Sequence, residues 1–168
     1  GNAEVDALIR EARGQLDQIA AANDAIADPA LSRQIEDIEA TCRQILQRLE
    51  EQPNMLSQLR TFLRYYLPAT LKLLNARAAL EAEVNAGGSP QIAARIAKAV
   101  GEVQSAFHKQ LDALNEFRFI NLESEMDVLA DMLKSDGLTA EPDAPAVAKE
   151  EPQEDDPFAS LFAKGEKK

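Results

Sequence analysis

Leu31 to Leu49 reads LSRQIEDIEATCRQILQRL, and its apolar residues Leu31, Ile35, Ile38, Cys42, Ile45 and Leu49 recur at intervals of four, three, four, three and four. Only a helix brings residues at that spacing into one line, and so narrow a line is the seam of a helix lying along a neighbour. Asp28-Pro29 just upstream is a helix start. The aspartate suits the cap, and proline suits the first helical position because its missing N–H would be unpaired there in any case. Cys42 stands on the seam and reads as a small buried hydrophobe. Pro53 ends the segment.

The same period extends in both directions. Upstream, Val5, Leu8, Ile9, Ala12, Leu16, Ile19 and Ile26 form one stripe. Downstream, Met55, Leu56, Leu59, Phe62, Leu63, Tyr66 and Leu67 form another, which Pro68 interrupts before Leu71, Leu73, Leu74 and Ala78 carry it on. An internal proline removes one backbone bond and crowds the carbonyl four residues back, that of Arg64, so a kink within one helix is expected, with a side chain or water on that carbonyl. Tyr66 continues the stripe and is the tyrosine expected to be buried, with Tyr65 free for a ligand. Asn85 to Ser89 is a turn, and Ser89-Pro90 starts a segment carrying Ile92, Ile96, Val100, Val103, Phe107, Leu111, Leu114 and Phe117. A further stripe of Leu122, Met126, Leu129 and Leu133 is out of phase by about one residue, which predicts a break near Phe119–Asn121. Asp136-Gly137 closes the last helix, with glycine at the left-handed C-terminal position. The expected fold is all-α: an elongated antiparallel helical bundle over residues 1–138 with a Pro-kinked third helix.

Residues 139–168 differ in kind. They hold eight acids, four bases and four of the chain's eight prolines, a composition that predicts a disordered acidic tail. The 168 residues carry a net charge of −11, with −4 of it in the tail. So acidic a chain is unsuited to nucleic acid, whose binding needs Lys and Arg to replace counterions. One cysteine excludes an intramolecular disulfide, and one histidine, His108, excludes motifs that need two. The residue three before His108 is Ser105, so the Glu-x-x-His pair of bundle metal sites is missing. Gly87-Gly88 lacks the Gly-Lys-Ser/Thr ending of a phosphate loop. No metal or cofactor is therefore expected, and His108 reads as an interfacial or exposed structural residue. The opening residues lack a signal-peptide pattern, and no apolar run approaches the roughly 18–20 residues of a spanning helix. Membrane attachment is expected only through a segment that this chain lacks.

Charge is distributed unevenly. From Gln52 to Leu80 there is no Asp or Glu, yet Arg60, Arg64, Lys72 and Arg77 are present. Asp112 to Asp136 holds seven acids against Arg118 and Lys134. The basic helix is therefore expected to lie on the acidic one, with Arg60 or Arg64 paired to Glu123, Asp127 or Asp131. The competing use of the basic strip is an anion site at the kink, built from Arg60, Arg64, Tyr65 and Arg77. In the tail, Asp155-Asp156-Pro157 suits a helix start, and Phe158, Leu161 and Phe162 follow at i, i+3 and i+4. These are anchors of a helix that docks in a partner's groove, with back-docking on its own bundle as the alternative.

FLRYYLPATLKLL, from Phe62 to Leu74, and MDVLADMLKSDGL, from Met126 to Leu138, together resemble the XpaC-like family, named for hydrolysis of 5-bromo-4-chloroindolyl phosphate. The likeness covers roughly Ile35 to Leu138, and the Tyr-Tyr-Leu-Pro block is its more specific part. The resemblance implies a bacterial helical domain at the cytoplasmic face, often preceded by membrane helices and encoded beside TelA-type toxic-anion resistance proteins. A TelA-like protein partner follows from it, with oligomerisation left open. The family name implies a phosphoesterase, but the sequence displays no nucleophile–base pair. The leading expectation is a helical interaction or scaffold module of an envelope or stress-resistance complex. The alternative is an aryl phosphatase working at the basic kink.

Overall fold

The computed structural model describes residues 2–139, and these are helical almost throughout, with no strand among them. The tail, with Phe158, Leu161 and Phe162, lies outside the described residues. In order come α1 (Ala3–Asp24), α2 (Pro29–Glu51), a 3₁₀ turn (Pro53–Met55), α3 (Leu56–Thr61), a π-helical turn (Phe62–Tyr66), α4 (Leu67–Ala79), the short α5 (Glu81–Asn85) and α6 (Pro90–Ser135). Contacts divide the chain into two units, Gly1–Asn115 and Glu116–Lys168.

The helix ends are set locally. Asn2 Oδ1 accepts from the Val5 amide at the start of α1. Asp28 Oδ1 accepts from the Ala30 and Leu31 amides, with Pro29 as the first residue of α2. Each bond satisfies an amide that has no partner inside the helix. Pro90 opens α6 as expected, but the Ser89 hydroxyl donates to Glu83 Oε2 instead of capping the helix. Gly137 has a φ of +71°, and the Leu138 amide donates to the Leu133 carbonyl, which closes α6 in the left-handed manner that glycine permits.

In the first unit, α1 packs on α2 and α4. All six seam residues of α2 are buried, and so are Val5, Ile9, Ala12, Leu16, Ile19 and Ile26 from the N-terminal stripe. The link from Asp24 to Pro29 is too short for anything but an antiparallel α1–α2 pair. α2 and α6, by contrast, run parallel. Gln104 of α6 bonds Gln34 and Asp37 of α2, and His108 bonds Asp37 and approaches Thr41, so residue numbers rise together along both helices. Farther around α6, Phe107 meets Phe62 edge to face, with centroids 4.8 Å apart and planes at 67°.

Pro68 is accommodated inside one helical run from Leu56 to Ala79. The means is the π turn before it, in which the Leu67 amide donates to the Phe62 carbonyl five residues back. An extra residue in that turn relieves the crowding that a proline imposes. The side-chain bond on this stretch is Thr70 Oγ1 donating to the Tyr66 carbonyl at 2.8 Å, two residues beyond the expected Arg64 carbonyl. The inserted residue also changes the phase: burial passes from Leu63 to Leu67 and skips Tyr66. The expectation of a buried Tyr66 is thus overturned, since it is 57% exposed and Tyr65 66%.

The predicted break near Phe119–Asn121 is absent, and α6 is helical through those residues. No Gly or Pro lies between Gly101 and Gly137, so the backbone ladder has nothing to stop it. The phase slip moves the apolar stripe around the helix and leaves the backbone intact. Of α6, only Ile96, Val100, Phe107, Leu111 and Leu114 are buried.

Candidate functional site

The basic strip is divided in the first unit: Arg60 and Arg64 are exposed, whereas Arg77 is buried. Arg60 Nη1 donates to Glu4 Oε2 and Nη2 to Glu4 Oε1 at 3.4 Å, while Arg64 Nη2 lies 3.8 Å from the same carboxylate. The Arg60 hydrogen bond holds the Glu4 carboxyl below its usual range, and the carboxylate raises the Arg60 guanidinium in return. The expected partners Glu123, Asp127 and Asp131 are replaced by Glu4 of α1, because α1 is the helix packed beside α3–α4. Arg60, Arg64 and Tyr65 thus share one solvent-facing stretch around the π turn.

Arg77 does not join them. It is 3% exposed, and its Nη1 lies 2.6 Å from Glu81 Oε1. Thirteen residues of helix separate it from Arg64, about 20 Å at 1.5 Å per residue. A single phosphate-sized anion cannot bridge that distance. Arg77 is thus set apart from Arg60, Arg64 and Tyr65, and Glu4 already occupies the Arg60 fork and lies 3.8 Å from Arg64.

Between α4 and α6 lies an apolar hollow of about 290 Å³, lined by Phe62, Tyr66, Leu73, Val103 and Phe107 among others. A second of about 260 Å³ begins at the same Leu73 and is lined by Ile92, Arg95, Ile96 and Ala99. The exposed Tyr66 forms part of the first wall, so the phase shift that removed it from the core gave the hollow its rim.

His108 sits at the α2–α6 interface, half exposed, with Nε2 2.6 Å from Asp37 Oδ2 and 3.5 Å from Thr41 Oγ1. Gln104 Nε2 donates to the same Asp37 oxygen at 2.8 Å. The amide and the imidazole together hold the Asp37 carboxyl below the usual range. In a neutral ring, donation to Asp37 places the proton on Nε2 and leaves Nδ1 as the acceptor. The pairing of His108 was missing from the sequence reading, because Asp37 is 71 residues away and no pattern within α2 marks it out. A group whose folded pKa is depressed stabilises above its unfolded value, and the contribution is lost as pH falls through the folded one. Asp37→Asn is therefore expected to flatten the loss of stability below about pH 4, with an effect of about 0–1 kcal/mol at neutral pH for so exposed a pair. Urea unfolding midpoints measured from pH 3 to 7 on both proteins check this, and identical pH profiles would refute it.

Cys42 is fully buried, and burial pushes its thiol up to about 12, which leaves it protonated and unreactive. Among the described residues, no group of three His, Cys, Asp or Glu side chains is placed to hold a metal ion, and no helix is long and apolar enough to cross a membrane.

Residues 3–129 match the model of a protein family. No curated protein and no solved structure matches the chain.

Proposed function

The chain belongs to the 5-bromo-4-chloroindolyl phosphate hydrolysis protein family, and from that premise we propose that it works as a helical interaction module. The supporting observation is the apolar surface of the second unit. Phe119, Ile120, Leu122, Val128, Leu129, Met132 and Leu138 are between 44% and 69% exposed, and none of the described residues from 116 onward is buried. An array of large apolar side chains in contact with water marks a surface that another molecule covers. The family resemblance supplies the setting: a bacterial envelope or toxic-anion resistance complex with a TelA-type partner.

Leu122 and Leu129 are the residues to change, because both are exposed and their loss spares the core. Titrating the full chain with a purified TelA-type protein is expected to show saturable binding. Leu122→Asp with Leu129→Asp is expected to weaken it roughly a hundredfold, since each buried leucine is worth about 1.5–3 kcal/mol. Thermal unfolding should move by no more than about 0.5 kcal/mol. Binding that survives both substitutions would refute the assignment.

A second reading, hydrolysis of aryl phosphates, draws on the Asp37–His108 pair. In the neutral ring Asp37 accepts from Nε2–H, so that Nδ1 is left free as a base, while Arg60 and Arg64 lie on another helix, with Arg60 bonded to Glu4 and Arg64 3.8 Å from it. Turnover of 5-bromo-4-chloroindolyl phosphate by purified protein, abolished by His108→Ala and retained in Arg64→Ala, would favour it over the interaction module. Loss on Arg64→Ala alone would instead point to the basic turn.

A further inference from the structure

The stretch 116–139 combines a regular apolar seam with acidic borders. Leu122, Met126, Leu129 and Leu133 follow one another at four, three and four residues in an unbroken helix. At 100° per residue they fall within an arc of about 60°, which is the heptad seam of a helix that pairs lengthwise with another. Leu122 and Leu129 are exposed, and Met126 and Leu133 are partly so. Phe119 widens the face on one side.

The edges of that face are acidic. Glu125 and Asp136 border it on one side, and Glu116 and Glu123 on the other. With Asp127 and Asp131 the stretch holds six acids against Arg118 and Lys134.

We infer that this seam takes an amphipathic helix of another protein whose apolar stripe is flanked by Lys and Arg. The inference rests on the reading of the chain as an interaction module and names the partner's chemistry. Charge decides between occupants. A second copy brings the same excess of acid to the same face, and the whole chain already carries −11. An anionic lipid surface repels an acidic helix, as does the chain's own tail with eight acids and four bases. A basic helix covers the leucines and neutralises their borders together, and rim charges of this kind set which partner is accepted.

The test uses the full chain and a fluorescent 21-residue peptide with leucine at two positions of each heptad and lysine at the flanking ones. An otherwise identical peptide with glutamate for lysine is the comparison. Anisotropy is expected to show binding of the basic peptide at least about tenfold tighter than the acidic one, weakening as salt is raised. Leu129→Asp should abolish binding, and Glu123→Lys with Glu125→Lys should reverse the preference, with circular dichroism unchanged in both variants. Equal binding of both peptides would overturn the basic partner while leaving the interaction module standing. A concentration-dependent dimer that Leu129→Asp dissolves, with neither peptide bound, would assign the seam to a second copy instead. Binding of phosphatidylserine vesicles through the same residues would assign it to a membrane. If neither peptide binds and the TelA-type titration also fails, both readings fall.

Discussion

Replacing Phe62 with alanine is expected to lower the unfolding free energy by about 3–5 kcal/mol, among the largest effects of any single change in the first unit. The ring is 1% exposed and stands edge-on to Phe107. It also occupies the first position of the π turn, so its carbonyl receives the Leu67 amide that lets the helix pass Pro68. Truncation therefore removes apolar burial and an aromatic pair from the contact between the α3–α4 helix and α6. The neighbouring hollow, already about 290 Å³, would grow, and the cost of a truncation rises with the cavity it leaves. Urea unfolding followed by circular dichroism gives the value, with an unchanged slope showing that the unfolded state is unaffected. Phe62→Leu should lose less, because it keeps most of the volume. A loss below about 1.5 kcal/mol for alanine would mean that α6 repacks onto the α4 face.

Glu81→Ala is expected to cost about 3–5 kcal/mol through a different mechanism. Glu81 stands two residues past the end of α4, as the first residue of α5, and reaches back to the guanidinium of Arg77, whose side chain is 4% exposed. Removing the carboxylate leaves a buried cation without its counter-charge, and the desolvation of Arg77 is no longer offset. The pair itself is not what stabilises the fold. Arg77→Met combined with Glu81→Leu removes both charges and should bring stability back to within about 1 kcal/mol of the parent, as happens when buried ion pairs are exchanged for packed apolar groups. A double variant as unstable as Glu81→Ala would show that the bond at the α4–α5 junction fixes the backbone turn at Leu80.

Of the candidate site, little was legible beforehand. Arg60, Arg64 and Tyr65 could be placed on one stretch of helix from their spacing alone, since residues four apart share a face. That Glu4 would take both arginines was not legible. It is 56 residues from Arg60, and nothing within either segment encodes which helix lies beside which. The same holds for Asp37 and His108. The burial of Arg77 went unseen because an arginine on an acid-free helix reads as a surface cation until a neighbour is known to cover it.

What the sequence determined by itself was local. The narrow seam from Leu31 to Leu49, the Asp28-Pro29 start and the glycine at 137 all appear in the structure as read, and all depend on contacts within a few residues of backbone. Periodicity and capping are properties of one helix, so one helix's sequence suffices to state them. What only the tertiary structure decided was register. A phase slip in the apolar pattern was read as a break at Phe119–Asn121, but the ladder of backbone bonds runs on without it. A regular pattern at Tyr66 was read as burial, but a π turn made room for Pro68 and rotated that tyrosine outward. Side-chain order along a helix shows which residues are apolar, whereas the fit between helices decides which of them are covered. That fit depends on chain segments tens of residues apart, whose pairing energies no single stretch of sequence contains.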